Sequence, residues 1–180
     1  MLFRSKPISL AALATHHILD EELLDCPPST SFKLPAGLQY LIGHNVDFDW
    51  AVAGSPDVRR ICTLSLARAV WPTLEAHNQS ALLYYLDRKN ARERLKNAHS
   101  AGADIKICAT ILEHICLKLE IDSLEALWQK SEESRIPTHM PFGKHKGMPI
   151  AEVPKDYVRW LLNQPDIDPF LRRAFAQSAS

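Results

Sequence analysis

Two short apolar runs constrain this chain more than any other feature. Residues 38–43 end on a glycine, residues 60–62 form a second run, and each is followed by a helical pattern, about 47–52 and 63–71. Strands joined through helices specify an α/β sheet. Only these two strands are legible before residue 131, which is few for a sheet of that class.

The rest of the first stretch reads as helix. Residues 8–24 form an amphipathic pattern with Ile8, Ala11, Ala12, Leu13, Ile18 and Leu23 on one face, ended by Cys26, Pro27 and Pro28. Thr63 and Asn78 are candidate N-caps. The longest pattern, residues 99–119, uses Ile105, Cys108, Ala109, Leu112 and Cys116 as its apolar face. A helix over 123–130 closes a first domain, 1–130. Residues 131–138, polar with one proline, read as a linker. Residues 139–180 read as a small module, a glycine-rich hairpin followed by helices near 157–162 and 169–176.

A chain of 180 residues holds one full core and such a module. Lys+Arg and Asp+Glu are both 21, which argues against a binder whose affinity rests on a large basic surface. A local basic edge beside a metal is still compatible with that balance. Cys26, Cys62, Cys108 and Cys116 form no CxxC pair, so they read as reduced thiols of a cytoplasmic protein. No apolar run approaches the roughly 18 residues a membrane span takes. Arg4 and Lys6 ahead of residues 8–14 have the outline of a signal peptide, but the same residues suit an ordinary helix face.

Two constellations carry chemistry. Gly43-His44-Asn45-Val46-Asp47-Phe48-Asp49 directly follows a strand, where α/β folds place ligands. His99-Ser100-Ala101-Gly102-Ala103-Asp104 opens the long helix. Taken singly, Asp49 also suits a helix N-terminus and His99 a cap. In this order, HN-x-x-FD and then H-x-A-x-x-D, they resemble motifs II and III of the DEDDh 3′→5′ exonucleases, a ribonuclease H-like group.

The resemblance implies a ribonuclease H-like exonuclease fold that hydrolyses phosphodiester bonds from the 3′ end. Asp49 and Asp104 then become metal-binding carboxylates, and His99 the general base. His44, Asn45 and Phe48 become substrate contacts. The implied cofactor is a pair of Mg²⁺ or Mn²⁺ ions about 3.5–4 Å apart, and the implied partner is nucleic acid, DNA with a free 3′ end, away from any membrane. Further likeness runs through Pro7-Ile8-Ser9, Ile61-Cys62-Thr63-Leu64 and Trp71-Pro72. Residues 140–147 with 157–162 resemble the tail module of the exodeoxyribonuclease X-like branch. Lys144 and Lys146 on its turn are candidate phosphate contacts.

The family's motif I, Asp-x-Glu on a first strand, should precede Pro7, whereas the sequence as given opens six residues before it. Asp20-Glu21-Glu22 has the spacing but follows Pro7 and reads as a solvated helix end. The expectation is therefore a fold without its first strands, poor metal binding and weak exonuclease activity. The alternative is a non-catalytic nucleic-acid-binding or protein-docking chain. The basic residues Arg88, Lys89, Arg92, Arg94 and Lys96 suit either a solvated helix face or a DNA-backbone guide. Trp71, Trp128 and Trp160 read as core.

Overall fold

The computed structural model describes residues 7–97 and 101–178, and the chain divides into two compact units, Met1–Trp128 and Gln129–Ser180. In the first, helix α1 spans Leu10–His16, with the Ser9 hydroxyl accepting from the Ala12 N–H at 3.2 Å. The sequence pattern continues helically to residue 24, but the helix stops at His16. His17 takes a left-handed conformation, φ 57°, and its N–H closes on the Leu13 carbonyl. A separate 3₁₀ turn, Asp20–Leu23, follows. No residue of α1 is buried, so local capping rather than core packing sets its length. The Asp20 carboxylate accepts from the Ile8 N–H at 3.1 Å, which gives this acidic turn a structural role.

Strand β1 (Tyr40–Gly43), helix α2 (Val46–Val52) and strand β2 (Arg59–Cys62) form a βαβ unit. The strands pair in parallel, with Tyr40 opposite Arg59 and Gly43 opposite Cys62. They are the sheet of the described residues. Helix α3 (Thr63–Val70) begins with no intervening loop. Thr63 is therefore not the N-cap; Cys62 holds that position, and the Thr63 hydroxyl reaches back 3.3 Å to the Gly43 carbonyl. Helix α4 (Gln79–Leu86) is capped as expected, Asn78 Oδ1 accepting from the Ala81 N–H at 2.9 Å. Helices α5 (Arg88–Arg94), α6 (Ala101–Leu119) and α7 (Leu124–Ser134) complete the series.

The core of this unit is Ile61, Leu66, Ala67, Leu82, Leu83, Ala91, Ile107, Ile111, Ile115 and Leu127. It corrects the expected face of α6. Ile107, Ile111 and Ile115 are buried against α3 and α4, whereas Ile105 is 69% exposed. The helix is apolar on two sides, so periodicity alone could not say which side meets the core. Trp71 and Trp128 pack at the margin of that core.

The unit boundary falls inside α7, which runs on to Ser134 through the start of the expected linker. Polar residues misled there, because Ser131 is fully buried and Ser134 donates to its carbonyl at 2.8 Å. Beyond it, a hairpin closes through Met140 N–H to the Met148 carbonyl and Gly147 N–H to the Met140 carbonyl, both 2.8 Å. Helices α8 (Lys155–Leu162) and α9 (Pro169–Ser178) then enclose a second core of Met140, Ile150, Val153, Leu161, Leu171, Ala174 and Phe175. Gly143 takes φ +75°, and a Cβ there would sit 2.6 Å from the Tyr157 hydroxyl, so the turn needs glycine twice over. Trp160, expected in the core, is 54% exposed. No helix among the described residues is long and apolar enough to cross a membrane.

The two sides of α6 should respond differently to truncation. Ile111→Ala opens a cavity in a closed core and should cost about 2–5 kcal/mol in chemical denaturation. Ile105→Ala should stay within about 0.5 kcal/mol of the parent. Equal losses at both positions would contradict the assignment of the buried face.

Candidate functional site

Both parallel strands end at one edge of the sheet, and the chain leaves that edge through residues with chemistry. After β1 come Gly43, His44 and Asn45. Asn45 sits in the left-handed region at φ 72°, a conformation asparagine tolerates better than most residues. It precedes α2 yet makes no side-chain capping bond to it. The residue lines a cleft instead.

That cleft has a volume of about 670 Å³. His44, Asn45, Phe48 and Asp49 line it from one side, and Asp104, Ile105, Cys108, Ala109 and Leu112 line it from α6. The two constellations, far apart in sequence, thus share one cavity. Phe48 is 69% exposed, so its ring is available to a ligand rather than committed to the core. His99 lies outside the described residues. Lys144 and Lys146 are exposed on the hairpin turn of the second unit.

Close packing positions Asp49. A Cβ on Gly43 would lie 3.3 Å from Asp49 Oδ2 and 3.4 Å from the Val46 backbone, so glycine lets α2 fold back over the strand end. Partial burial raises the Asp49 pKa above its usual value, against a smaller lowering by its own backbone N–H. The neighbouring Asp47 does something else. It pairs with Arg60 at 2.6 Å, and the Arg60 guanidinium lies 4.3 Å from the Trp50 ring centroid, bracing α2 on β2.

His44 is held by two hydrogen bonds. Its Nε2 lies 2.8 Å from the His77 carbonyl and its Nδ1 lies 3.0 Å from Thr63 Oγ1. A carbonyl only accepts, so Nε2 carries the proton, and neutral Nδ1 is an acceptor facing the Thr63 hydroxyl. The Thr63 hydroxyl is also 3.6 Å from Cys108 Sγ, which links the strand end to α6. Burial, the largest influence, pulls the His44 pKa below its ordinary value; the His77 carbonyl opposes this, and the charge of Arg68 adds to it.

Thr63, Gln79 and Cys108 belong to this region, although the sequence gives none of them a site role. Gln79 opens α4 and lines the cleft. Its Oε1 is buried without a hydrogen-bond partner among the described residues. Only Thr63 had a local signal, its position at a strand–helix junction. The other two are placed by tertiary packing.

The donor set suits a hard divalent cation in kind, since Asp49 and Asp104 offer carboxylate oxygens. It falls short in number. Among the described residues no group of three or more His, Cys, Asp or Glu side chains is arranged to hold a metal ion.

Because its pKa is lowered on folding, His44 should make stability pH-dependent. Below pH about 6.5 the unfolded imidazole takes up a proton before the folded one, so stability should fall as pH drops toward the folded value. Urea denaturation at pH 7.5 and 5.5 should show this loss, and His44→Gln should reduce it. An unchanged loss in that variant would place its origin elsewhere.

Comparison with known proteins adds an independent line. The chain is 29% identical over 174 residues to exodeoxyribonuclease 10 of Escherichia coli K12, covering 93% of this chain and 77% of that protein. The same protein of E. coli O6:H1 matches equally. A structure of exonuclease X in complex with 5′ overhanging duplex DNA superposes with a TM-score of 0.58 at 27% identity, over 70% of this chain and 75% of that one. Residues 132–165 match a family model described as a putative quorum-sensing-regulated virulence factor. The likeness of both sequence and fold supports a relationship to the DEDDh exonucleases, the ribonuclease H-like group its two motifs resemble.

Proposed function

We propose that the cleft is the metal- and substrate-binding side of a 3′→5′ exonuclease site acting on DNA with a free 3′ end. One observation carries this reading: His44, Asn45, Phe48 and Asp49 from α2 and its lead-in face Asp104 from α6 across a single cavity. Two relatives whose names describe exonucleases, one solved with duplex DNA, support it.

Each residue has a task. Asp49 and Asp104 would hold Mg²⁺ or Mn²⁺, in a two-ion arrangement when the carboxylate set is complete. Such ions lower the pKa of an attacking water and stabilise the leaving 3′ oxygen. His99 would accept the proton of that water. Phe48 would stack on the terminal base, and Asn45 would hydrogen-bond the strand. His44, fixed by Thr63 and the His77 carbonyl, would orient that loop. Lys144 and Lys146, which belong to the second unit, would touch phosphates apart from the cleft.

Two carboxylates supply half the charge of a four-carboxylate centre, so divalent affinity and turnover should both be low in this chain. The same observation favours a second reading, a chain that binds nucleic acid or a protein partner without cutting DNA.

Stepwise shortening of 5′-labelled single-stranded DNA, alongside calorimetric titration with Mn²⁺, tests these points. Weak Mn²⁺ binding and slow shortening are expected, both lost in Asp104→Asn. Robust shortening that disappears in Asp49→Ala would overturn the impairment but keep the site. Shortening that survives both substitutions would remove the site from this cleft. Binding with no shortening at all would select the second reading.

A further inference from the structure

The second unit carries an exposed feature that its core does not explain. On α8, Tyr157 and Trp160 stand one turn apart and stack, with centroids 5.4 Å apart and planes at 29°. Trp160 is nevertheless 54% exposed, so much of the indole faces solvent. A buried tryptophan gains from apolar contact, and one left in water beside another ring is an unusual use of a large side chain.

A cation lies against this stack. Lys144 Nζ lies 5.0 Å from the Tyr157 centroid, within cation–π range. His145 packs edge-on against the same ring at 4.7 Å. Lys146 is exposed two residues further along the turn. Residues 139–160 contain Lys144, Lys146, Lys155 and Arg159 against Glu152 and Asp156, an excess of two positive charges in a chain of zero net charge. Neither Lys144 nor Lys146 enters an ion pair among the described residues, whereas Glu132 in the same unit is taken up by Arg135 and Arg173.

The turn is built to hold this arrangement. Gly143, at φ +75°, brings the backbone so close to the Tyr157 hydroxyl that no side chain fits between them. The lysine-bearing loop and the aromatic pair are therefore held as one surface. An aromatic stack flanked by Lys144, with exposed Lys146 on the same turn, matches single-stranded nucleic acid, whose bases stack while its phosphates are neutralised. A protein partner of acidic character would meet the lysines but would have less use for the open indole.

We infer that Trp160, Tyr157, Lys144 and Lys146 form a stacking platform for unpaired bases of single-stranded DNA, a binding site separate from the cleft of the first unit. It rests on the nucleic-acid reading above for the class of ligand, but not on the cleft's chemistry.

Fluorescence anisotropy of a labelled fifteen-nucleotide oligo(dT), read in EDTA on the full chain, tests it without any cleavage. Trp160→Ala should weaken binding about tenfold or more, and Trp160→Phe should recover most of the loss. Lys144→Gln should weaken binding less and flatten its dependence on salt. Trp160 is exposed, so thermal melting should be unchanged in its variants. Parent and Trp160→Ala chains binding equally would overturn the platform, as would no binding by the parent, which would leave the face to a protein.

The nuclease assay with Asp104→Asn separates the two proposals. Activity lost there while Trp160→Ala binds normally would refute the platform alone. Binding lost in Trp160→Ala from a chain that never shortens DNA would refute the exonuclease reading alone.

Discussion

Helix α6 has to satisfy two environments, and the first unit depends on how it does so. Ile107, Ile111 and Ile115 recur every fourth residue and close the core against α3 and α4. Ile105, Cys108, Ala109 and Leu112 form a second apolar strip that lines the cleft. Asp104 stands at the start of that strip, so the packing that seats the isoleucines also aims the carboxylate. Rotating the helix by one residue, about 100°, would bury the acid or turn it away from Asp49. Core and site are therefore one constraint, and the fully closed isoleucine face holds the helix in register.

The opposite wall is tied in by polar bonds. The hydroxyl of Thr63 lies within reach of the Gly43 carbonyl, His44 Nδ1 and Cys108 Sγ, at 3.3, 3.0 and 3.6 Å. It has one proton to give, and the carbonyl and neutral Nδ1 both compete for it. A single small side chain at the start of α3 thus joins the end of β1, the loop after it and α6. Serine could make similar bonds, but the methyl of Thr63 also fills a fully buried position.

Much of this could be read from sequence, and the failures have a common physical source. The two strands, the Asn78 cap, the order of the helices and the residues His44, Asn45, Phe48, Asp49 and Asp104 all carry local signals: a strand-ending glycine, a polar cap, motif spacing. The face of α6 that meets the core was misread because both faces are apolar and only tertiary contact distinguishes them. Helix α1 ends early because His17 adopts a backbone conformation that no period of hydrophobicity reports. The sequence does not show α7 running on to Ser134 because Ser131, buried at 0% exposure, looks in sequence like a linker residue. Gln79 and Cys108 reach the cleft from helices whose local sequence has no sign of it.

The electrostatics of the cleft bear on what could bind there. Burial penalises Asp49 as a carboxylate and His44 as an imidazolium, so both are biased toward their neutral forms. For His44 the bias suits a fixed hydrogen-bonding role, since its two partners already define one neutral tautomer. For Asp49 the same bias is a cost that a nearby cation would remove, because an opposite charge favours the ionised form. The cation that Asp47 engages, Arg60, is bound up in bracing α2 on β2. A carboxylate partly shielded from water in the first turn of α2 would be favoured in its ionised form by a cation placed beside it.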